Sequence, residues 1–292
     1  MHVAPMQGYT NRHLRAFYRC LSSSSSSNTT CMWTEMEKFE DLLESIEGAT
    51  RRLEHDDLQP TVLQLGGNCA AKLRGALAAA ATHRYDEINL NVGCPSVETG
   101  GAHFGAKLMQ EPALVADLVA AAARLTPVPV SVKCRVGVHD ALMPDGTAPE
   151  DHYETLRAFV ETVAATGAVS HVVVHARAAI LSGLTPARNR HVPPLHYSFV
   201  HALARDFPAL RVTLNGGIRS LSVLQAQLAS CAESGVDGIM VGALAAGSAA
   251  GPADYRRGRC QGQRRRRGWG HGASVPRRRH PALCPAGSDA RA

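Results

Sequence analysis

Thr61-Val62-Leu63-Gln64-Leu65, then an alanine-rich stretch from Ala70 to His83, then Glu87-Ile88-Asn89-Leu90-Asn91 read as a strand, a helix and a second strand. Both apolar runs are short and rich in Val, Leu and Ile, as expected of strands buried on both faces. A helical crossover between them makes the pair parallel. The same unit recurs in both directions. Toward the N-terminus, strands are expected at His2–Pro5 and Met32–Met36, with helices at Asn11–Cys20 and Phe39–Glu47. Toward the C-terminus, strands at Val130–Arg135, His171–His175, Arg211–Asn215 and Gly238–Val241 alternate with helices at Pro112–Leu125, Asp151–Thr166, Leu195–Asp206 and Leu221–Ser234. Eight strands and seven intervening helices predict an α/β fold, a (β/α)8 TIM barrel over residues 1–245 whose last helix is missing or altered. A doubly wound sheet carries the same alternation. The count of eight, and the polar residues at so many strand C-termini, favour the barrel.

Apolar residues make up 45% of the 292, enough to fill such a core. There is no run of eighteen apolar residues to span a membrane. The opening Met1-His2-Val3-Ala4-Pro5-Met6 has neither a charged leader nor an apolar signal core, so a cytoplasmic location is expected, with organelle import left open. The eight cysteines form no Cys-x-x-Cys pair and no metal-like spacing, which points to reduced thiols and no metal. A monomer is expected. The net charge of +6 is unevenly placed: eleven arginines lie beyond Gly251 against Asp254 and Asp289, so the first 250 residues hold 20 basic and 23 acidic groups. Residues 246–292 lack apolar periodicity and are expected to be a disordered tail. Its arginines suit either an electrostatic RNA tether or the product of a misread gene end, and the abrupt loss of pattern favours the second. Ser22–Ser27 is too polar to pack and reads as a flexible insertion.

Barrels of this kind carry their chemistry at the C-terminal mouth, so the residues ending each strand matter most. Asn215-Gly216-Gly217 before a helix is a candidate phosphate cradle, because glycines let backbone N–H groups approach an anion. Gly242, after the last strand, can close the same pocket. Lys133 sits between Val132 and Cys134 in an otherwise apolar strand, a costly place unless an anion or an electron-rich ring receives it. The plainer reading is a lysine snorkelling to the rim. His175 and Arg177, two residues apart, face one side and could bind phosphate or a flavin, although a satisfied core histidine stays open. Cys94 falls between Gly93 and Pro95 in a turn past the fourth strand, whereas Cys69 and Cys134 fall inside elements.

Together these residues resemble the tRNA dihydrouridine synthase family. The matching phrases are Ala4-Pro5-Met6, Thr34-Glu35-Met36, Gln64-Leu65, Glu87 through Ser96, Lys133 through Gly137, Val174-His175-Ala176-Arg177 and Asn215 through Ser220. Leu184-Thr185-Pro186, Asn189-Arg190 and Pro193-Pro194-Leu195 resemble its A-type branch, which modifies positions 20 and 20a of the D-loop. The resemblance implies an FMN cofactor, NADPH as reductant and reduction of the uracil C5–C6 bond in tRNA, with Cys94 as proton donor to C5. It further implies that Pro5, Met6, Gln64, Lys133, His175, Asn215, Gly216, Gly217 and Gly242 line FMN, and that Asn91 and Arg177 lie by the substrate base or the flavin edge. Lys107 stands where many A-type members have a second cysteine, and Ala243 where members commonly have a phosphate-binding arginine. The family's C-terminal helical tRNA-binding domain is expected to be lacking, its place taken by the Arg-rich tail. Two other readings differ in class: an FMN barrel reducing a free pyrimidine or another small molecule, and an inactive barrel that only binds RNA.

Overall fold

The structure, a computed structural model, describes residues 1–22, 30–55, 60–95 and 104–242. Eight parallel strands form one sheet: β1 (His2–Val3), β2 (Met32–Lys38), β3 (Thr61–Gly66), β4 (Glu87–Asn91), β5 (Val130–Arg135), β7 (Val169–His175), β9 (Arg211–Asn215) and β10 (Gly238–Val241). Their order is β1-β10-β9-β7-β5-β4-β3-β2. The two ends meet, because the Val3 amide donates to the Cys31 carbonyl at 3.0 Å and the Cys31 amide donates to that of Met1 at 2.9 Å. The sheet therefore curls into a barrel, and the chain has the (β/α)8 architecture. A second pair, β6 (Val138–His139) with β8 (Ala179–Ile180), stands above β5 and β7 at the mouth.

Helices α1 (Arg12–Ser22), α2 (Ile46–Leu53), α3 (Ala70–Ala80), α4 (Pro112–Leu125), α5 (Tyr153–Ala164), α6 (Tyr197–Asp206) and α7 (Leu221–Ser234) alternate with the strands. The main core lies between helices and sheet: Leu63, Leu65, Ile88, Leu90, Val132 and Val174 pack outward against residues such as Leu73, Leu118, Leu156 and Leu203. A second, smaller cluster of Ala4, Trp33, Val62, Val173 and Met240 plugs the barrel interior. Side chains alternate along a strand, so neighbours of the outward residues enter the barrel. That alternation sends Gln64, Asn89 and Ser131 inward, where Gln64 Nε2 donates to Asn89 Oδ1 and Asn89 Nδ2 to Ser131 Oγ, each at 2.8 Å.

At the opposite end from the mouth, the same parity buries a charge. Glu87 accepts from His171 Nδ1 at 3.0 Å and from Arg211 Nη2 at 2.9 Å, while His171 Nε2 lies 2.8 Å from Thr213 Oγ1. Burial would raise the Glu87 carboxyl pKa, but the His171 hydrogen bond and charge, with Arg211, hold it below the ordinary value.

Helix ends follow their sequence signals where these are strong. Helix α4 begins with Pro112, and α7 runs from the Ser220 cap, whose Oγ accepts from the Val223 amide at 3.3 Å, to left-handed Gly235. The helix expected over Phe39–Glu47 is instead a turn followed by α2. Phe39 and Leu42 are buried from that turn, mimicking helical spacing, and the true start is Ser45, whose Oγ accepts from the Gly48 amide at 3.0 Å. Ser22 closes α1; Ser23–Ser27 and the expected tail, residues 246–292, lie outside the described residues, as does any element after β10. No helix among the described residues is long and apolar enough to cross a membrane.

Candidate active site

The turn after β4 is held at each step. Val92 donates its amide to the Lys133 carbonyl at 2.9 Å, and a Cβ on Gly93 would come within 3.2 Å of that same oxygen. Only glycine lets the chain pass this close to β5 without displacing it. Asn91 Oδ1 then accepts from the amides of Gly93 at 3.1 Å and Cys94 at 3.0 Å, and its Nδ2 donates to Gln64 Oε1 at 3.0 Å. This is an Asx turn whose side chain anchors the turn to β3. The Cys94 carbonyl accepts from the Ala106 amide at 2.8 Å, and Cys94 itself is partly exposed with a free thiol.

Facing that turn is a group of basic side chains. Lys133 and Arg135 come from β5, His175 from the end of β7, and Arg177 and Arg190 from the segment that follows β7. Among the described residues, no carboxylate pairs with any of them. Lys133 makes no side-chain hydrogen bond there either, and burial, with the Arg135 charge next to it, brings its ammonium down to about 8. His175 is buried, and its Nδ1 has no partner among the described residues. Burial first, then the charges of Arg135, Lys133 and Arg177, hold its imidazole well below the ordinary value, so it is neutral at pH 7. Arg177 donates Nη1 to the Pro193 carbonyl and keeps a buried, unpartnered Nε. A buried polar atom without a partner is costly, and two of them, His175 Nδ1 and Arg177 Nε, lie at this mouth.

The third wall is the turn after β9. Asn215 donates Nδ2 to the Met240 carbonyl at 2.9 Å, tying β9 to β10. Gly216 and Gly217 both have left-handed backbone, φ 106° and 72°, which favours glycine. The Gly216 carbonyl accepts from Tyr197 Oη at 2.8 Å, and a Cβ on Gly217 would lie 2.6 Å from both Leu195 Cδ1 and Tyr197 Oη. Replacing Gly217 with alanine is therefore expected to cost at least the ~1–2 kcal/mol of a left-handed non-glycine residue. A urea midpoint equal to wild type would contradict the turn as described. Across the seam, a Cβ on Gly242 would sit 3.5 Å from Ala4 Cβ and 3.6 Å from Met6 Sδ, so the Pro5-Met6 loop abuts the end of β10.

The structure thus brings Cys94, Lys133, His175, Arg177, Asn215, Gly216, Gly217, Gly242, Pro5 and Met6 to one end of the barrel. Gln64 and Asn91 come there too, but with their amide groups committed to each other and to Asn89 and the turn. Ser96 and Ala243 lie outside the described residues. Two residues without a role in the sequence reading hold the mouth together. Arg135 donates to three backbone carbonyls, and Asn189, wholly buried, pairs with both backbone groups of Ile180. Nearby, Asp151 lies between His139 Nε2 at 2.8 Å and His196 Nε2 at 3.1 Å, linking β6 to the start of α6. Among the described residues, no group of three His, Cys, Asp or Glu side chains has the arrangement of a metal site.

A family model for dihydrouridine synthases matches residues 2–250. The chain belongs to the dihydrouridine synthase family. It is similar to tRNA-dihydrouridine(20/20a) synthases of three bacteria. It is 44% identical over 245 residues to that of Xanthomonas campestris, covering 83% of this chain and 66% of the relative. The Shewanella oneidensis protein is 40% identical over 241 residues, with 82% and 65% covered. The Escherichia coli K12 protein is 42% identical over 241 residues, with 82% and 64% covered. The chain thus matches about two thirds of the length of these dihydrouridine synthases, and the match takes in the strand ends that build the mouth.

Proposed function

We propose that this chain is a tRNA-dihydrouridine synthase of the 20/20a type, an FMN-dependent oxidoreductase that takes its electrons from NADPH and acts in the cytoplasm. The observation that carries this reading is a cysteine turn clamped at its backbone opposite Lys133, Arg135 and Arg177, none of which has a carboxylate partner among the described residues. The residues fit FMN. Lys133 and the orphaned nitrogen of His175 face an electron-rich ring, and the left-handed glycine turn before α7 offers backbone N–H groups to a phosphate. Pro5, Met6, Gln64, Asn215 and Gly242 complete its lining.

When bound, FMN supplies the hydride that saturates C6 of uracil. Cys94 holds a proton at Sγ for C5, so hydride and proton add across the double bond and the thiolate left behind recovers its proton from water. Asn91 keeps the thiol in place from below, beside the base. Arg177, with Nε unpartnered, is available to a base carbonyl. Lys133 offsets negative charge on the bound flavin. The uridine has to leave its stack to enter a barrel mouth.

Purified protein titrated with FMN is expected to quench flavin fluorescence, and no binding at millimolar FMN would sink the cofactor assignment. Lys133→Met is expected to weaken binding by the ~1.5–3 kcal/mol of a charged hydrogen bond. Wild-type affinity should fall as pH rises through about 8, where free Lys133 loses its proton, and the variant should lack that step. A wild-type affinity flat from pH 7 to 9 would exclude Lys133 from the anion's contacts.

A further inference from the structure

We propose that Arg135 is the positioning residue for the Cys94 thiol, an assignment that rests on the proposed function. Arg135 is 5% exposed, an expensive place for a cation with no carboxylate beside it. Its guanidinium is spent on backbone carbonyls from three separate stretches: Nε donates to Gly93 at 3.0 Å, and Nη1 to Ala178 and Asn189, each at 3.2 Å. Burial, followed by the charges of Arg190 and Arg177, brings it down to about 10, so it stays charged at neutral pH.

The Gly93 bond has a specific geometric consequence. The Gly93 carbonyl and the Cys94 amide belong to one planar peptide group. Arg135 holds its oxygen at 3.0 Å, and Asn91 Oδ1 holds its N–H at 3.0 Å. With both ends pinned, the plane cannot rotate, and the direction in which Cys94 leaves it is set. The next anchor, Ala106 on the Cys94 carbonyl at 2.8 Å, fixes the far side.

Arg135 also carries this constraint to the other side of the mouth. Asn189, whose carbonyl it holds, is fully buried and donates Nδ2 to the Ile180 carbonyl at 2.9 Å while accepting from the Ile180 amide at 2.7 Å. The thiol turn and the stretch from Ala178 to Arg190 therefore move as one body, with Arg177 at its edge. A lysine at position 135 keeps the charge but reaches one carbonyl, not three, so a fork is required rather than a cation.

The test compares wild type, Arg135→Lys and Arg135→Met, each checked for folding by thermal melting and each normalised to bound flavin. With tRNA lacking dihydrouridine as substrate, kcat is expected to fall about a hundredfold, the scale of a misplacement near 1 Å, with KM for tRNA little changed. Independently of turnover, Cys94 alkylation by iodoacetamide, mapped by mass spectrometry, should become faster in both variants while Cys134 stays unreactive. A purely structural role would lower the flavin-loaded fraction and leave flavin-normalised kcat and Cys94 alkylation unchanged; that result overturns the proposal. If Arg135→Met does not fold, Arg135→Lys carries both readouts. If wild type shows no activity on tRNA, the functional reading fails, and the alkylation rates alone still decide whether Arg135 holds the turn.

Discussion

Cys94→Ala is expected to lower dihydrouridine formation by about 10²–10⁴-fold, the range for loss of a positioned general acid. FMN binding and NADPH oxidation by dioxygen should survive, because the thiol enters neither half-reaction. The change is confined for a structural reason: the turn is held through the Cys94 backbone amide and carbonyl, not through its sulfur. Cys134, wholly buried with its thiol pushed up to about 12 by burial, and Cys69, which precedes α3 as its cap residue instead of lying inside an element as expected, are not held in a turn like that of Cys94. Their replacement should affect stability at most. Full activity of Cys94→Ala, in a preparation where wild type is active, would remove the thiol from the mechanism.

The second large effect lies at the other end of the barrel and concerns stability. Glu87→Ala is expected to cost about 3 kcal/mol, the lower end of the range for breaking a buried ionic group, because Arg211 is half exposed and can turn to water. His171 cannot: it is buried, and its Nδ1 would lose its acceptor. The sign of the pH dependence follows from the carboxyl. Its value in the fold lies below the ordinary 4.5, so its contribution is complete above that value and is lost as the pH falls through the lowered one. Wild type should therefore lose part of its stability below about pH 4.5, and Glu87→Ala should show a shallower acid limb in urea unfolding. Parallel acid limbs would mean that Glu87 is not held by its partners.

The barrel was legible because its strands are apolar runs with a polar residue at the mouth: four of the eight ranges match the structure at both ends, and the other four differ by one or two residues at one end. The shortest, β1, stops at Val3 rather than Pro5, since Ala4 already pairs only through its amide with Val241 at the seam. The turn that carries Phe39 and Leu42 misled because apolar spacing reports which side chains are buried, not which backbone buries them. In the mouth, Cys94, Lys133 and the Gly216-Gly217 turn announced themselves by residue type, since each is hard to place without a ligand or a special backbone. Arg135 and Asn189 did not. Their partners are backbone carbonyls, which every residue has, so no pairing of residue types marks them. Glu87, His171 and Arg211 were hidden for a related reason: their contact joins strands far apart in the chain, and only the barrel's parity brings them together.

The most direct test is to incubate the purified, FMN-loaded protein with NADPH and tRNA lacking dihydrouridine, then to map reduced uridines. Dihydrouridine is expected at positions 20 and 20a of the D-loop and none on free uracil or uridine. Flavin-loaded protein that oxidises NADPH yet leaves every uridine of the tRNA intact, or reduces the free base instead, would contradict the proposed function.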